Sequence, residues 1–568
     1  KIENAIYKAF LDDEFYKNGN HLYAEKAKEN AKEMLERVVK KIDNKYKKDS
    51  IIHVEEIQDI VEDVLMKSKY KDVARSYIRY RHQRELSREK FFNGKHKFIK
   101  TIEKITFEES EKNNLKRENA NVNGNTAMGT MLQYGSSLSK AFGKTHILKE
   151  EHAKAHENGD IHIHDLDFYA SGGTTTCCQI DLGKLFKNGF STGHGFLREP
   201  QSIESYAALT CIAIQSNQGD QHGGQAINLF DYYLAPGVLK TFKKKLKSNI
   251  QKVIEMKMID KLCYDAEKSE AITNEIMEEL NKLKINSIEF TIEDKTNFLK
   301  TIKDKLSFLL SPNEQIDTVC EYIYNKSLKE TNRATYQAME SLIHNLNTMN
   351  SRAGSQVPFS SINFGTDISP EGRMVSKNLL LAMNAGLGKG ETAIFPILIF
   401  KVKEGINYNE EDPNYDLFKL AIKVSAKRLF PNFSFLDAPF NLKYYDKDNP
   451  HTEASYMGCR TRVLSNVNGP SISTSRGNLS FTSINLPRLG IKHGIISNTN
   501  PDIDGFYKEL DKLMDLVKDQ LLDRYEYQCK KKVKNFPFLM GQNIWLDSEK
   551  LNSEDTLEEV LKHGTLTI

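Results

Sequence analysis

Cysteine is scarce in this 568-residue sequence, and the few cysteines are widely scattered. There are seven of them, an odd number, and no two form a Cys-x-x-Cys pair. Disulfide-rich domains and zinc modules need paired, closely spaced cysteines, so neither class fits. We therefore expect free thiols and no metal site within this chain. The cysteines are Cys177, Cys178, Cys211, Cys263, Cys320, Cys459 and Cys529.

Long apolar runs and an excess of one charge are lacking as well. No stretch approaches the roughly eighteen apolar residues of a membrane span, and no charged-then-apolar leader opens the sequence. Lys and Arg total 80 against 77 Asp and Glu, which gives a formal net charge of +3. A protein that coats nucleic acid needs a markedly basic face instead. We expect a cytoplasmic protein that binds neither membrane nor nucleic acid.

The length and the residue patterns indicate a large α/β protein. One hydrophobic core rarely supports a chain of this size, so two domains or one very large barrel is expected. The first part is charged and helical, with Ile2, Ile6 and Phe10 at helical spacing. From Asn119 onward strand formers and glycine increase, and the apolar run at 393–400 is typical of a strand buried on both faces. Strands that alternate with long helices predict an α/β architecture.

One cysteine stands in a setting that predicts a loop. Gly458 and Cys459 lie between two polar runs, and the glycine lets the chain turn sharply. Such a loop presents the sulfur instead of packing it. The alternative is that Cys459 is buried as a small apolar side chain, as most cysteines are.

Two short segments predict strands with reactive or polar side chains. Alternation in 161–165 places His162 and His164 on one face of a strand. Histidines at this spacing can ligate a metal, although a pair that lines a polar pocket is commoner. The β-branched run 174–181 predicts a second strand. Because neighbours on a strand face opposite sides, only one cysteine of its Cys-Cys pair can face a pocket.

Several short motifs follow one another along nearly the whole chain. They are Gly159-Asp160-Ile161-His162-Ile163-His164-Asp165, Gln179-Ile180-Asp181-Leu182, Gln221-His222-Gly223-Gly224, Asn350-Ser351-Arg352-Ala353-Gly354-Ser355-Gln356, Phe395-Pro396-Ile397, Met457-Gly458-Cys459-Arg460, Arg476-Gly477-Asn478-Leu479 and Ser483-Ile484-Asn485-Leu486-Pro487-Arg488. In this order they resemble the motifs of anaerobic (class III) ribonucleoside-triphosphate reductases, which are glycyl-radical enzymes. Several motifs in the right order are far more specific than any single one.

The resemblance implies a definite fold and domain division. It implies a ten-stranded α/β barrel of the glycyl-radical enzyme and ribonucleotide reductase type, with the Cys459 loop at its centre. Residues 1–90 resemble part of an ATP-cone, a small, mostly helical allosteric module, and 91–568 would form the catalytic barrel. By this resemblance Lys1 would contact the phosphates of ATP or dATP and Gln58 would lie near the nucleotide. A solvated helical bundle without a ligand is the alternative for this region.

The resemblance also implies roles for residues of the barrel. Cys459 would carry the thiyl radical, and Cys177, matched by its distance from the following aspartate, would donate hydrogen from the opposite side. Asn478 matches an active-site asparagine that holds a ribose hydroxyl or formate, with Asn485 as the competing position. As substrate-binding residues we take His162, His164 and Thr567.

The resemblance implies partners and a cofactor too. It implies ribonucleoside triphosphates as substrates, formate as reductant, a radical-SAM activase and a homodimer or higher homo-oligomer. The glycyl radical and a zinc site would lie beyond Ile568, in a C-terminal region missing from this sequence. Two alternatives remain open: another glycyl-radical enzyme, such as a lyase or dehydratase, and a catalytically silent nucleotide-binding barrel.

Overall fold

The structure is a computed structural model that describes most of the chain. The described residues are 2–18, 24–47, 52–82, 102–103, 105–106, 125–283, 286–306, 309, 316–351, 356–497 and 500–568. The chain forms two compact units, Lys1–Phe107 with Thr145–Ile147 and Glu108–Lys144 with Leu148–Ile568. Each unit has its own hydrophobic core.

Helices build the first unit around a small apolar core. They are α1 (Ile2–Asn18), α2 (Ala24–Lys45), α3 (Val54–Met66) and α4 (residues 71–82). In α2 the residues Ala31, Met34 and Val38 recur every three or four positions and are buried, which is one face of an amphipathic helix. They share a core with Ile6 and Phe10 of α1, whose helical spacing predicted this packing. The helices predicted from the sequence in this region are confirmed.

Twelve strands in the second unit form sheets of five, three, two and two strands among the described residues. The strands are β1 (Ile161–Ile163), β2 (Cys178–Gln179), β3 (Phe190–Ser191), β4 (Phe196–Leu197), β5 (Gln225–Ile227), β6 (Ser360–Phe364), β7 (Ile397–Val402), β8 (Asn432–Phe435), β9 (Ser455–Tyr456), β10 (Arg462–Val463), β11 (Asn478–Ile484) and β12 (Thr565–Thr567).

The largest sheet is parallel, with strand order β2-β5-β6-β7-β8. Every residue of β6 and β7 is buried, so this sheet is covered on both faces. A sheet buried on both faces consists of nearly continuous apolar runs, and the run at 393–400 supplies the first four of the six residues of β7.

Long helices cover the parallel sheet. The helices of this unit are α5 (Ala127–Phe142), α6 (Glu150–Asn158), α7 (Leu166–Ser171), α8 (Leu182–Asn188), α9 (Ile203–Asn217), α10 (Phe230–Asp260), α11 (Ala266–Lys282), α12 (Ile292–Leu306), α13 (Ile316–Thr348), α14 (Pro370–Ala385), α15 (Tyr415–Arg428), α16 (Pro439–Leu442), α17 (Leu486–His493), α18 (Ile503–Cys529) and α19 (Glu558–Leu561). Ser202 and Ser369 cap α9 and α14, because each hydroxyl accepts a backbone N–H of the first turn. Phe242 of α10 and Leu342 of α13 share the core that the sheet residue Ile362 also joins. Of the helices described, none is both long and apolar enough to cross a bilayer.

A smaller sheet lies around β11. This strand pairs antiparallel with β1 and parallel with β12. β9 and β10 form a separate antiparallel hairpin. The sheets and helices together confirm the predicted α/β class, whereas closure into a ten-stranded barrel stays a prediction.

The strand predicted over 174–181 is shorter than expected. Only Cys178 and Gln179 are in a ladder. The two residues before them bond to β11 and not to β5. The backbone N–H groups of Thr176 and Cys177 both donate to the Asn478 carbonyl, at 3.0 and 3.1 Å. A β-branched run indicates extended chain, and its hydrogen-bond partners depend on the tertiary structure.

Candidate functional site

The β9–β10 hairpin presents Cys459 at its tip. Arg462 pairs with Tyr456, and the turn is closed by the Met457 N–H, which donates to the Thr461 carbonyl at 3.1 Å. Gly458 is required for a close approach, since a Cβ there would lie 2.6 Å from the Phe359 ring. Cys459 is an exposed residue on this turn, as the sequence predicted.

Cys177 lies against the tip of this hairpin. Its Sγ is 3.8 Å from the Sγ of Cys459. The Cys177 side chain is fully buried and packs with Ala226, Met457 and Val463. Its neighbour Cys178 joins the main core between sheet and helices. The two adjacent cysteines therefore pack in different clusters, and only Cys177 contacts the other thiol.

The contact makes the two thiols unequal in acidity. The hydrogen bond with Cys177 lowers the pKa of Cys459 to about 6, and the Thr461 hydroxyl at 3.2 Å also stabilises its thiolate. The same contact and burial together raise the pKa of Cys177 well above its ordinary value. The hairpin cysteine is thus the better nucleophile and the buried cysteine stays a thiol.

Asn478 begins β11 directly beside Cys177. Gly477 allows the approach, because any Cβ there would clash with the Cys177 carbonyl. The Asn478 side chain is fully buried, and its Oδ1 accepts from the hydroxyls of Thr567 at 3.3 Å and Thr565 at 3.5 Å. Within the described part of the chain, its Nδ2 has no hydrogen-bond acceptor. A buried amide donor without an acceptor is costly, and the oxygen of a ligand would satisfy it.

The competing position, Asn485, has a structural task. Its Oδ1 accepts the Arg488 N–H at the start of α17, and its Nδ2 donates to the Gly159 carbonyl at 2.8 Å. This is an N-cap with both ends of the amide satisfied.

The two predicted histidines line a cavity of their own. The rings of His162 and His164 are 4.5 Å apart between centroids, and His164 stacks on Phe481 at 3.9 Å. Burial, followed by the nearby His162, lowers the pKa of His164 to about 4, so this ring is neutral at pH 7. The cavity measures about 340 Å³. The described residues that line it include neither Cys177, Cys459 nor Asn478.

Two polar residues of this cavity were missed by the sequence reasoning. Asp165 Oδ2 lies 3.3 Å from His222 Nε2, and the other ring nitrogen of His222 is 2.5 Å from the Thr174 hydroxyl. Burial opposes ionisation of Asp165, but His222 and Arg524 outweigh it and keep the pKa of Asp165 below its usual value. Asp165 and His222 each belong to one of the family motifs in the sequence, yet no local pattern indicates that the two side chains meet. Thr565, two positions before Thr567, was missed in the same way.

The expected effector residues are only partly described. Lys1 lies outside the described residues. Gln58 lies on α3 and is half-buried. As for metals, the ranges that the structure describes contain no group of three or more His, Cys, Asp or Glu side chains arranged to hold an ion.

Comparison with known protein families gives a clear result. The model of the family described as anaerobic ribonucleoside-triphosphate reductase matches residues 118–568, well over half of the chain. The chain belongs to this reductase family. In addition, residues 1–86 match the ATP cone domain.

Individual relatives agree with the family match. The anaerobic ribonucleoside-triphosphate reductase of Escherichia coli K12 is 28% identical over 520 residues, which cover 91% of this chain and 61% of that enzyme. The enzyme of the same name from Enterobacteria phage T4 is 27% identical over 418 residues, covering 73% of this chain and 56% of its own length. A vitamin B12-dependent ribonucleoside-diphosphate reductase of Thermoplasma acidophilum is 43% identical over 94 residues, 16% of this chain and 10% of that protein. The chain thus spans less than two thirds of these reductases.

Among solved structures, the anaerobic ribonucleotide reductase from Thermotoga maritima in complex with dATP and CTP is similar at a TM-score of 0.46 and 12% identity. The match covers 84% of this chain and 66% of that one.

Proposed function

We propose that this chain is the ATP-cone and catalytic part of an anaerobic enzyme that reduces ribonucleoside triphosphates to deoxyribonucleoside triphosphates. One observation carries the proposal: two thiols 3.8 Å apart meet beside a buried amide whose Nδ2 has no acceptor within the described residues. The family match supports the same reaction class.

In the proposed reaction Cys459 works on the ribose of the substrate. As a thiyl radical, its sulfur takes the hydrogen atom from C3′ and becomes a thiol, and the radical passes to C3′. The S–H and C–H bonds are of comparable strength, so the hydrogen can later return to C3′ and restore the thiyl. A radical at C3′ activates the 2′-hydroxyl, which then leaves as water.

Cys177 and Asn478 would serve the reductive half of the reaction. Cys177 stays protonated, and in the proposal it gives a hydrogen atom to the substrate radical, which leaves a thiyl radical on Cys177. Formate returns a hydrogen atom to this sulfur, and the carbon dioxide radical anion that remains passes its electron to the substrate and leaves as carbon dioxide. The Asn478 amide donates to a ribose hydroxyl or to a formate oxygen. With formate as reductant the overall reaction balances, because one triphosphate, one formate and one proton give one deoxyribonucleoside triphosphate, carbon dioxide and water.

The radical cofactor would come from outside this chain. We place the glycyl radical and a zinc site in the part of the protein that the chain does not span. When present, the glycyl radical supplies the one-electron oxidation that the cysteine needs, and a radical-SAM activase installs it. Cys459 is exposed in this chain, which supports contact with a radical carried by another segment.

The N-terminal region would regulate this activity. We propose residues 1–90 as part of an allosteric ATP-cone and 91–568 as the catalytic part. ATP and dATP would compete for the cone, with Lys1 near the phosphates and Gln58 near the nucleotide. The two ligands would shift the balance between active and inactive states of a cytoplasmic homodimer or higher homo-oligomer.

Anaerobic activation of the full-length protein tests the proposal. The protein is incubated with its activase, and deoxyribonucleotide formation is then assayed from each ribonucleoside triphosphate with formate present. We expect product that depends on both activation and formate. Radical formation without any nucleotide reduction would indicate a lyase or dehydratase. Nucleotide binding with neither radical nor product would indicate a catalytically silent barrel.

A further inference from the structure

The backbone of the Cys459 hairpin is held by a side chain of the parallel sheet. Asn363 of β6 accepts the Tyr456 N–H with its Oδ1 and donates to the Tyr456 carbonyl with its Nδ2, both at 2.9 Å. The same Nδ2 donates to the Ile227 carbonyl of β5 at 3.1 Å. The amide therefore uses its oxygen and both of its hydrogens, two of these bonds going to one residue of the hairpin. It pairs with Tyr456 as a neighbouring strand would.

A second side-chain amide, that of Gln179, donates to the same Tyr456 carbonyl and belongs to the segment that carries Cys177. Gln179 Nε2 donates to the Tyr456 carbonyl at 3.2 Å. Gln179 is fully buried and lies two positions after Cys177, so it ties the segment that carries one thiol to the hairpin that carries the other. Asn363 is likewise fully buried. Two adjacent strand pairings, β2 with β5 and β5 with β6, fix the distance between these two amides.

The hairpin needs such anchors. Only two residue pairs join β9 to β10, and an isolated two-stranded ribbon of that length is marginally stable in water. Tyr456 stands three positions before Cys459, on the entering limb of the turn. A shift of the hairpin at Tyr456 therefore moves the Cys459 sulfur away from Cys177.

We propose that Asn363, assisted by Gln179, is a positioning residue that sets the distance between the Cys459 and Cys177 sulfur atoms. Its effect on turnover rests on the proposed function, whereas its effect on the distance between the thiols does not. Two measurements, one of each kind, therefore keep the two proposals separate.

The first measurement is kinetic. Asn363→Leu keeps the number and branching of the side-chain heavy atoms, although leucine is the larger residue, and it removes all three hydrogen bonds. In the activated full-length enzyme we expect kcat to fall by about 10²-fold, the cost of roughly 1 Å of misplacement, with KM for the nucleotide within about twofold of wild type. The glycyl-radical signal in electron paramagnetic resonance should keep its wild-type intensity. Asn378→Leu is the matched control, because Asn378 of α14 is also buried and also bonds through its amide, to Asn332 and the Met374 carbonyl.

The second measurement needs no activity. Diamide takes one hydrogen from each of two thiols, which leaves a disulfide and reduces diamide to the hydrazine. We treat the anaerobic, unactivated full-length protein with diamide and quantify the peptide pair that contains Cys177 and Cys459. Disulfide formation requires close and well-aligned sulfur atoms. We expect the bond to form readily in wild type and Asn378→Leu, and about tenfold or more slowly in Asn363→Leu.

Each result has one meaning. Loss of both kcat and disulfide formation in Asn363→Leu alone supports the proposal. Wild-type kcat in Asn363→Leu overturns it, and so does a fall in kcat with disulfide formation unchanged. If the wild type itself makes no deoxyribonucleotide, the proposed function fails and the disulfide rates alone decide on Asn363. If Asn363→Leu does not fold, Gln179→Met replaces it, with a smaller loss expected in both measurements because one bond is removed.

Discussion

The sulfur atoms of Cys177 and Cys459 lie 3.8 Å apart, although the residues are 282 positions apart in the sequence. Cys177 is a buried residue and Cys459 is an exposed one. This difference in exposure suits the two roles proposed above. Cys459 would exchange a hydrogen atom with the glycyl radical, and Cys177 would stay shielded until the substrate is bound.

Cys459→Ser should abolish deoxyribonucleotide formation and leave the glycyl radical intact. A serine O–H bond is too strong for a glycyl radical to oxidise, and the substitution changes little in volume at an exposed position. Product is measured by chromatography and the radical by electron paramagnetic resonance. Turnover in this variant would remove Cys459 from the reaction.

Cys177→Ala and Cys178→Ala should separate the adjacent cysteines. Cys177 contacts Cys459 and Cys178 packs in the main core, so only Cys177→Ala should stop reduction. Cys178→Ala should lower the free energy of unfolding by about 1 kcal/mol, because it removes one buried sulfur. Denaturant unfolding and product assays measure the two effects. The reverse pattern would contradict the facing assigned to these side chains.

Alkylation should reveal the acidity of Cys459. Iodoacetamide reacts with the thiolate, and the pKa of Cys459 is lowered to about 6, chiefly by Cys177. Labelling of the Cys459 peptide should therefore accelerate as the pH rises through about 6 and level off above it. Cys177→Ala removes the hydrogen bond that lowers this pKa most. The pH of half-maximal labelling should therefore rise towards the pKa of an ordinary thiol, about 8.5. Identical profiles for the two proteins would show that Cys177 does not set this pKa.

Thr567→Val should reduce kcat and leave KM unchanged. The Thr567 hydroxyl donates to Asn478 Oδ1, which turns the Nδ2 donor away from the threonines. Loss of one such bond costs about 1 kcal/mol, or roughly fivefold in rate. Thr567→Ser should restore the rate because it keeps the hydroxyl. A rise in KM at constant kcat would instead favour direct substrate binding by Thr567, the role predicted from the sequence.

Deletion of every residue before Phe91 should abolish inhibition by dATP. The matched ATP cone domain covers residues 1–86, so the shortened enzyme loses it entirely. We expect it to reduce nucleotides and to obey any separate specificity effector, since the hydrophobic core of the second unit is untouched. Initial rates with increasing dATP test this. Full sensitivity to dATP would mean that the inhibitory site lies within residues 91–568.

Local patterns predicted much of the fold. Helical spacing located the buried face of α1, and the apolar run at 393–400 located part of β7. The polar stretch around Gly458 predicted the exposed turn that presents Cys459. The β-branched run at 174–181 predicted too long a strand, because residues at its start bond to Asn478 instead of to a sheet neighbour.

The sequence by itself determined which side chains are available and which local turns and helices form, since these depend on residues a few positions apart. Only the tertiary structure decided which side chains meet. No local pattern pairs Asn363 or Gln179 with Tyr456, and Asp165 contacts His222, which is 57 positions away in the sequence. Such partners are fixed by strand order and register, because a slip of one residue would turn each amide to the opposite face of its sheet.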